Sequence, residues 1–127
     1  MARIEIEATG STPEIILDTE AKTLQIKGIC TPENPRLFFD PLFQAMDDFQ
    51  KNNQKILVEI CLDYFNTGSS KCLLNLFYII SNNPILKSNS EVNWVIEDSD
   101  PDIKESGLLF EEITGLKFNY LNNKRLS

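Results

Sequence analysis

The chain has 127 residues, 42% of them hydrophobic, so it can bury a core without a metal or a disulfide. Its 12 lysines and arginines are outnumbered by 19 aspartates and glutamates, which gives a net charge of −7. This balance argues against binding to the phosphate backbone of nucleic acids or to an anionic membrane. Histidine is absent, which removes the commonest general base and metal ligand and the Ser-His-Asp and Cys-His catalytic systems.

The cysteines and the hydropathy pattern indicate the cellular compartment. Cys30, Cys61 and Cys72 are odd in number and form no CxxC pair, so we interpret them as reduced thiols of a cytosolic protein. The N-terminal residues are charged and alternate with apolar ones, unlike a signal peptide. Every apolar run is far shorter than the ~20 residues that span a bilayer. We therefore expect a cytoplasmic protein with no membrane insertion.

Polar and apolar residues alternate in three short N-terminal segments, as they do in half-buried β-strands. Turn-forming residues separate the segments, so we predict an antiparallel meander. The predicted strands are residues 3–7, 14–18 and 23–30, and Leu24, Ile26 and Ile29 are expected to face inward.

A break at residues 31–35, rich in turn-forming residues, precedes a segment with apolar residues at helical spacing. Pro41 is tolerated only in the first turn of a helix, so we expect this helix to begin near Asp40. Asn52 and Asn53 are expected to end it. Its apolar stripe comprises Phe39, Leu42, Phe43, Met46 and Phe49.

The rest of the chain alternates strands and helices. Residues 55–65 give the clearest strand, followed by a helix over 71–82 and a strand over 92–97. A third helix is predicted with Asp100 as its N-cap and Gly115 as its C-terminal stop, and a last short strand follows over 118–121. The predicted inward faces are Ile56, Val58, Ile60, Leu62 and Tyr64 in the first strand, and Ile103, Phe110 and Ile113 in the third helix.

This order predicts a single α/β domain over residues 1–127, with a frayed polar tail at 122–127. We expect a mixed β-sheet whose later strands are parallel and whose helices pack mainly on one face.

Two groups of acidic residues have spacings that fit neither a catalytic carboxylate pair nor a calcium-binding loop. Glu59 and Asp63 lie on one strand face, roughly 13 Å apart, whereas a glycosidase carboxylate pair needs roughly 5–9.5 Å. The alternating acids that begin at Asp98 resemble a calcium loop, but Ile103 and Leu109 occupy the positions that need glycine and glutamate. We therefore predict no metal, no cofactor and no catalytic residues.

Residues 64–71 join the end of the central strand to the next helix, where ligands gather in open α/β sheets. A helix N-terminus carries unpaired N–H groups and about half a positive charge. A phosphate there adds about −1.5 to −2 charges, and the amides of Gly68, Ser69 or Ser70 can bind it with Lys71 nearby. Alternatively, a Thr or Ser here is only an N-cap, worth about 1 kcal/mol.

The motif Tyr64-Phe65-Asn66-Thr67, followed by Ser69-Ser70-Lys71, is the most specific part of a pattern that spans nearly the whole chain. On this pattern the chain resembles the SiaC family of bacterial regulatory phosphoproteins, relatives of the STAS and anti-sigma-factor-antagonist fold. Gly68 and Cys30 each stand where the family is expected to have serine. Further matching positions are Glu7-Ala8-Thr9, Ser11-Thr12-Pro13-Glu14, Leu17-Asp18, Gly28, Pro32-Glu33-Asn34, Phe38-Phe39, Pro41 and Val92-Asn93-Trp94.

The resemblance implies a STAS-like phosphorylation switch rather than an enzyme. It implies that a Ser/Thr kinase modifies Thr67, that a PP2C-like phosphatase reverses the modification, and that the unmodified form activates a diguanylate cyclase in cyclic-di-GMP and biofilm signalling. Another effector protein, or a STAS-like domain that binds a nucleotide or lipid without a switch, is the alternative. The partner surface is expected around Tyr64, Asn66, Gly68, Ser69, Ser70 and Lys71, with an added edge from the helix that holds Phe39 and Phe43.

Overall fold

The computed structural model describes residues 3–96 and 101–122. Within them the chain forms one six-stranded mixed sheet and four helices. The strands are β1 (Arg3–Ile6), β2 (Glu14–Asp18), β3 (Thr23–Cys30), β4 (Leu57–Phe65), β5 (Glu91–Ile96) and β6 (Phe118–Asn122). The helices are α1 (Pro35–Asn52), α2 (Thr67–Ser81), α3 (Pro84–Asn89) and α4 (Pro101–Thr114). The predicted N-cap Asp100 and residues 123–127 of the predicted tail lie outside the described residues.

The strands lie in the sheet in the same order as in the sequence. β1 pairs with β2 and β2 with β3 in antiparallel fashion. β3, β4, β5 and β6 are parallel neighbours, as the alternation of strands and helices predicted. The carboxyl ends of these four strands therefore meet at one edge of the sheet.

One face of the sheet is buried against the helices. The inward residues of the strands and the apolar stripes of the helices form one core cluster, which includes Leu24, Ile60 and Leu76. The other face is partly exposed and polar, and there Gln25 Nε2 donates to Glu59 Oε1 over 3.4 Å. The helices thus cover one face of the sheet, which leaves the loops at the strand ends to present functional groups.

The core is densest around Trp94, which is only 1% exposed. Its indole N–H donates to the backbone carbonyl of Ile103 over 2.8 Å, so the buried polar atom is satisfied. Gly107 lies directly against the ring, so a side chain at position 107 would clash with Trp94. The surrounding aromatic rings, at centroid distances of 5.7–6.4 Å, are Phe65, Phe77, Phe110 and Phe118.

Helix α1 begins earlier than predicted, at Pro35 rather than near Asp40. The side chain of Asn34 caps it by accepting the Leu37 N–H over 3.2 Å, and Pro35 occupies the first turn, where its missing N–H costs nothing. Pro41 therefore lies inside the helix, on its exposed side. There the carbonyl that loses its helical partner can bind water.

A β-bulge in β4 reverses the predicted orientation of Tyr64. Leu62 pairs with Gly28 but Tyr64 pairs with Ile29, so Asp63 has no partner on β3. The extra residue changes the inside-outside alternation. Phe65 consequently packs on Trp94, whereas Tyr64, predicted to face inward, is 59% exposed. Ile29 was also predicted to face inward, but it is 39% exposed because the buried residues of β3 alternate through Leu24, Ile26 and Cys30.

Two further details of the second half depart from expectation. The short helix α3 is not among the predicted elements; Asn83 caps it by accepting the Leu86 N–H over 3.1 Å. In α4, Ile113 is exposed rather than buried. The buried stripe of α4 follows steps of three and four residues through Ile103, Gly107, Phe110 and Thr114, and position 113 lies off it.

Candidate functional site

The predicted phosphosite lies at the carboxyl edge of the parallel strands. β4 ends at Phe65, Asn66 follows in an extended conformation, and α2 begins at Thr67. This start is four residues earlier than the predicted start at Lys71, so Thr67 is the first residue of the helix rather than part of a loop. The cap is Asn66, not a hydroxyl, because its Oδ1 atom accepts the Ser69 N–H over 2.9 Å.

Asn66 also ties the helix start to the neighbouring chain segment. Its backbone N–H donates to the carbonyl of Cys30 over 3.2 Å, and its side-chain amide donates to the carbonyl of Pro32 over 3.3 Å. The side chain is half-buried. Asn66 therefore positions Thr67 and has little surface left to offer a partner.

The side chain of Thr67 is exposed, and two backbone N–H groups in the same turn have no hydrogen-bond partner among the described residues. The Ser69 amide binds the Asn66 side chain, and the Ser70 amide binds the Asn66 carbonyl over 2.9 Å. Of the three amides expected to bind a phosphate, only that of Gly68 remains available. Among the described residues, the unpartnered amides of this turn are those of Thr67 and Gly68.

The structure places Ser69, a predicted surface residue, in the core. Its side chain is fully buried, and its hydroxyl has no hydrogen-bond partner within the described chain. The hydroxyl lies beside the Cys30 thiol without a well-aligned hydrogen bond to it: burial raises the pKa of Cys30, and the Ser69 hydroxyl, which can donate to the thiolate, opposes that rise. The third helical position points inward over β3, which is why Ser69 cannot touch a partner. Ser70 is half-buried and Lys71 is exposed.

The exposed apolar residues near Thr67 differ from those expected. Phe39 is fully buried and stacks on the half-buried Phe43, so these rings do not form an exposed edge. Leu37, at the start of the same helix, is instead 70% exposed, and Tyr64, three residues before Thr67, is 59% exposed. Neither Leu37 nor its neighbour Arg36 is among the site residues predicted from the sequence. The pair Asn34-Pro35, a cap followed by proline, could have located both in a first helical turn.

Residues 3–96 and 101–122 hold no cluster of three or more potential metal ligands. In the same residues no helix is both long and apolar enough to cross a membrane.

Together, the fold and the site define a small mixed α/β protein with an exposed threonine at the first position of the helix after a central parallel strand. The chain belongs to the SiaC family of regulatory phosphoproteins, whose family model matches residues 6–123. The resemblance noted in the sequence is thereby confirmed. No curated protein sequence matches the chain significantly.

Solved structures share the fold. The crystal structure of apo-SiaC from Pseudomonas aeruginosa is similar at a TM-score of 0.86 and 23% identity, over 95% of this chain and 99% of that one. A crystal structure of the diguanylate cyclase SiaD in complex with its activator SiaC, from the same organism, matches at a TM-score of 0.87 and 22% identity, over 94% of this chain and 99% of that one.

Proposed function

We propose that this protein is a cytoplasmic, non-enzymatic partner-switching module with a STAS-like fold. In this proposal a Ser/Thr kinase phosphorylates Thr67 and a PP2C-like phosphatase removes the phosphate. The unmodified form binds and activates a diguanylate cyclase, which links the switch to cyclic-di-GMP and biofilm regulation. The observation that carries the proposal is the exposed hydroxyl of Thr67 at the start of α2, in a chain of a regulatory phosphoprotein family.

Accessibility singles out Thr67 among the hydroxyls of the motif. A kinase must reach the oxygen that it modifies, and the side chain of Ser69 is fully buried while that of Ser70 is half-buried. Asn66 fixes the start of α2 by donating hydrogen bonds to the carbonyls of Pro32 and Cys30, so the backbone position of Thr67 is fixed as well. The effector class is supported by SiaC of Pseudomonas aeruginosa, which is named as the activator of the diguanylate cyclase SiaD.

The fold should survive phosphorylation. The amides of Thr67 and Gly68 have no partner among the described residues, and an anion at a helix N-terminus stabilises the helix by roughly 0.3–1 kcal/mol. The phosphate nevertheless brings about −1.5 to −2 charges to a chain whose net charge is already −7. An interface that packs around a neutral hydroxyl must then desolvate that charge, which is costly without a matching cation. The switch therefore acts on binding and not on folding.

The test compares three forms of the protein in a titration against the diguanylate cyclase partner: unmodified, phosphorylated and Thr67→Ala. Intact mass before and after treatment with the kinase confirms the modification, and Ser70→Ala serves as a hydroxyl-deleted control that is still phosphorylated. We expect the unmodified and Thr67→Ala proteins to bind and to stimulate cyclase activity, and the phosphorylated protein to do neither. Melting temperatures recorded alongside should differ little.

Equal affinity of all three forms, or a phosphorylated protein that is unfolded, contradicts the proposal. Thr67→Glu is a weaker probe, because a carboxylate carries one charge where phosphate carries nearly two, and we expect it to reduce affinity only partly. If a nucleotide or lipid raises the melting temperature while phosphorylation leaves partner binding unchanged, the ligand-binding alternative is favoured instead.

A further inference from the structure

Beside Thr67, the first turns of α1 and α2 come together and enclose a shallow groove. Their contact is that of Pro35 with Gly68: a Cβ atom at position 68 would lie only 2.9 Å from the Pro35 Cγ atom. The groove has a volume of about 490 Å³, and Arg36, Lys71 and Leu74 contribute to its lining. Lys71 lies four residues after Thr67, so both side chains project from the same face of α2.

The groove concentrates positive charge in an acidic protein. Arg36 and Lys71 are exposed, and neither forms an ion pair with any described residue. No acidic residue lies in the first turn of α1 or α2, although α4 has Asp102 there. Glu33, which precedes the α1 cap, makes no ion pair with either cation. Arg36 and Cys72 both contribute to the lining of the groove, and the charge of Arg36 opposes the burial-driven rise in the pKa of Cys72.

Apolar surface accompanies the two cations. Leu37, next to Arg36, is 70% exposed, and Leu74 is half-buried in the lining. Exposed apolar surface beside charged groups is a feature of interaction surfaces.

We propose that this groove, hereafter the Arg36–Lys71 groove, binds an acidic segment of the effector protein that also carries an apolar side chain. The carboxylates of that segment pair with Arg36 and Lys71, and its apolar residue packs on Leu74. Phosphate on Thr67 blocks binding because it draws the same two cations and repels the incoming carboxylates. This inference rests on the proposed function, to which it adds the chemistry of the partner.

Charge complementarity supports this occupant over a basic or neutral one. A basic segment would meet two uncompensated cations, whereas an acidic segment satisfies both, and Arg in particular can bind a carboxylate with two parallel hydrogen bonds. A phosphate on Thr67 is tethered within one helical turn of Lys71, so it competes with the partner at a high local concentration. The same two side chains therefore serve as attractive groups in one state and as ligands of the phosphate in the other.

The first experiment measures affinity for the cyclase with Arg36→Ala and Lys71→Ala. Lys55→Ala is the matched control: it removes one exposed lysine at the opposite end of β4, roughly 30 Å from Phe65. We expect each groove variant to bind at least tenfold more weakly, the control to stay within twofold of wild type, and Lys71→Arg to keep most of the affinity. Wild-type affinity should also fall as salt rises from 50 to 300 mM, and this dependence should flatten in the double variant.

The second experiment needs no partner. The second pKa of a free phosphothreonine is about 6, and ³¹P NMR of the protein phosphorylated on Thr67 reports it directly. Cations that hold the dianion lower this pKa, so the value in the wild-type protein should lie below that in Arg36→Ala/Lys71→Ala, and Lys55→Ala should match wild type.

The outcomes separate the two proposals. Loss of affinity in the groove variants, together with the pKa shift, supports the Arg36–Lys71 groove. If phosphorylation blocks wild-type binding but Arg36→Ala and Lys71→Ala bind like wild type, the groove is wrong and the phosphorylation switch stands. If phosphorylation does not affect binding at all, the proposed function itself is wrong.

Discussion

Pro35 packs against Gly68, and this contact lets the first turn of α1 approach the first turn of α2. The space is so small that a Cβ atom at position 68 would lie 2.9 Å from the Pro35 Cγ atom. Gly68 stands where the family resemblance predicts a serine. Glycine at position 68 therefore leaves room for the Pro35 ring. This contact sets the distance between the two helix starts, and thus the width of the Arg36–Lys71 groove.

We expect Gly68→Ala to lower the free energy of unfolding by about 1 kcal/mol. Replacing a helical glycine by alanine ordinarily stabilises by up to about 1 kcal/mol, but overpacking against a rigid ring costs about 1–3 kcal/mol. Urea denaturation measures the change. A double-mutant cycle with Pro35→Ala should show that most of the loss disappears when the ring is absent. A Gly68→Ala protein more stable than wild type would contradict the contact.

The cap of α2 should be worth more than a cap that makes only one hydrogen bond. Asn66→Ala removes both the Ser69 cap and the bond to Pro32, so we expect a loss of about 1–2 kcal/mol in unfolding free energy. Asn66→Asp keeps the acceptor and should lose less. Asn34→Ala, at the start of α1, is the comparison, because Asn34 caps through its bond to Leu37. An Asn66→Ala loss no larger than that of Asn34→Ala would contradict the tethering role.

The sequence predicted most elements, because periodicity and turn residues report on local structure. Errors arose where a distant contact or a single inserted residue decides the outcome. The bulge at Asp63 has no sequence signature, yet it turned Tyr64 outward and Phe65 inward. The predicted start of α1 is too late because a proline such as Pro41 usually marks a helix boundary, whereas the Asn34-Pro35 pair marks the observed start.

The site was predicted only in part, because its details also depend on contacts between residues that are distant in the sequence. A motif places Thr67 near the end of a strand, but it does not say which hydroxyl of the motif is exposed. Burial of Ser69 depends on packing over β3 against Cys30, which only the tertiary structure shows. Arg36 was likewise missed, because it lies 31 residues before Thr67 and reaches the site only when α1 packs on α2.

The substitution Ser69→Ala is expected to raise the free energy of unfolding, whereas Gly68→Ala and Asn66→Ala are expected to lower it. Its buried hydroxyl makes no well-aligned hydrogen bond among the described residues and has only the weakly polar Cys30 thiol beside it, and an unsatisfied buried polar group costs about 1–3 kcal/mol. Ser69→Ala removes that cost at little change in volume, so we expect the unfolding free energy to rise by up to about 1 kcal/mol. Ser70→Ala, one residue further and half-buried, should change it by less than about 0.5 kcal/mol. Destabilisation by Ser69→Ala would show that the hydroxyl is hydrogen-bonded in solution.

The turn between β2 and β3 should make stability depend on acidic pH. The carboxylate of Asp18 accepts the backbone N–H groups of Ala21 and Glu20, each over 3.0 Å, and it pairs with Arg3. The hydrogen bond from Ala21, together with the hydrogen bond from Glu20 and the charge of Arg3, holds the pKa of Asp18 below its ordinary value of 3.8. A lowered folded-state pKa adds stability at pH values above the ordinary pKa, and that stability is lost as pH falls through the folded value.

Asp18→Asn tests this contribution. Melting temperatures of wild type and variant should differ most at neutral pH and converge as the pH is lowered beyond the ordinary pKa of 3.8. Glu20→Gln removes a carboxylate from the same turn, where the Glu20 side chain is exposed, and it should leave the pH profile unchanged. A constant difference between wild type and Asp18→Asn at all pH values would contradict the assignment.

Gly107 and Trp94 provide the sharpest test of the core. Gly107 lies within α4, where alanine would normally stabilise the helix by up to about 1 kcal/mol. Here a Cβ atom would lie 2.7 Å from the Trp94 Nε1 atom, which already donates to the Ile103 carbonyl over 2.8 Å. The ring is 1% exposed and cannot move aside without disturbing its aromatic neighbours. We therefore expect Gly107→Ala to lower the unfolding free energy by about 1–2 kcal/mol and to shift the emission of Trp94, the only tryptophan. Glu105→Ala, at an exposed position of the same helix, should change the unfolding free energy by less than about 0.5 kcal/mol and leave the emission unaltered. If Gly107→Ala stabilises the protein and the emission is unchanged, α4 does not press on the indole as the structure has it.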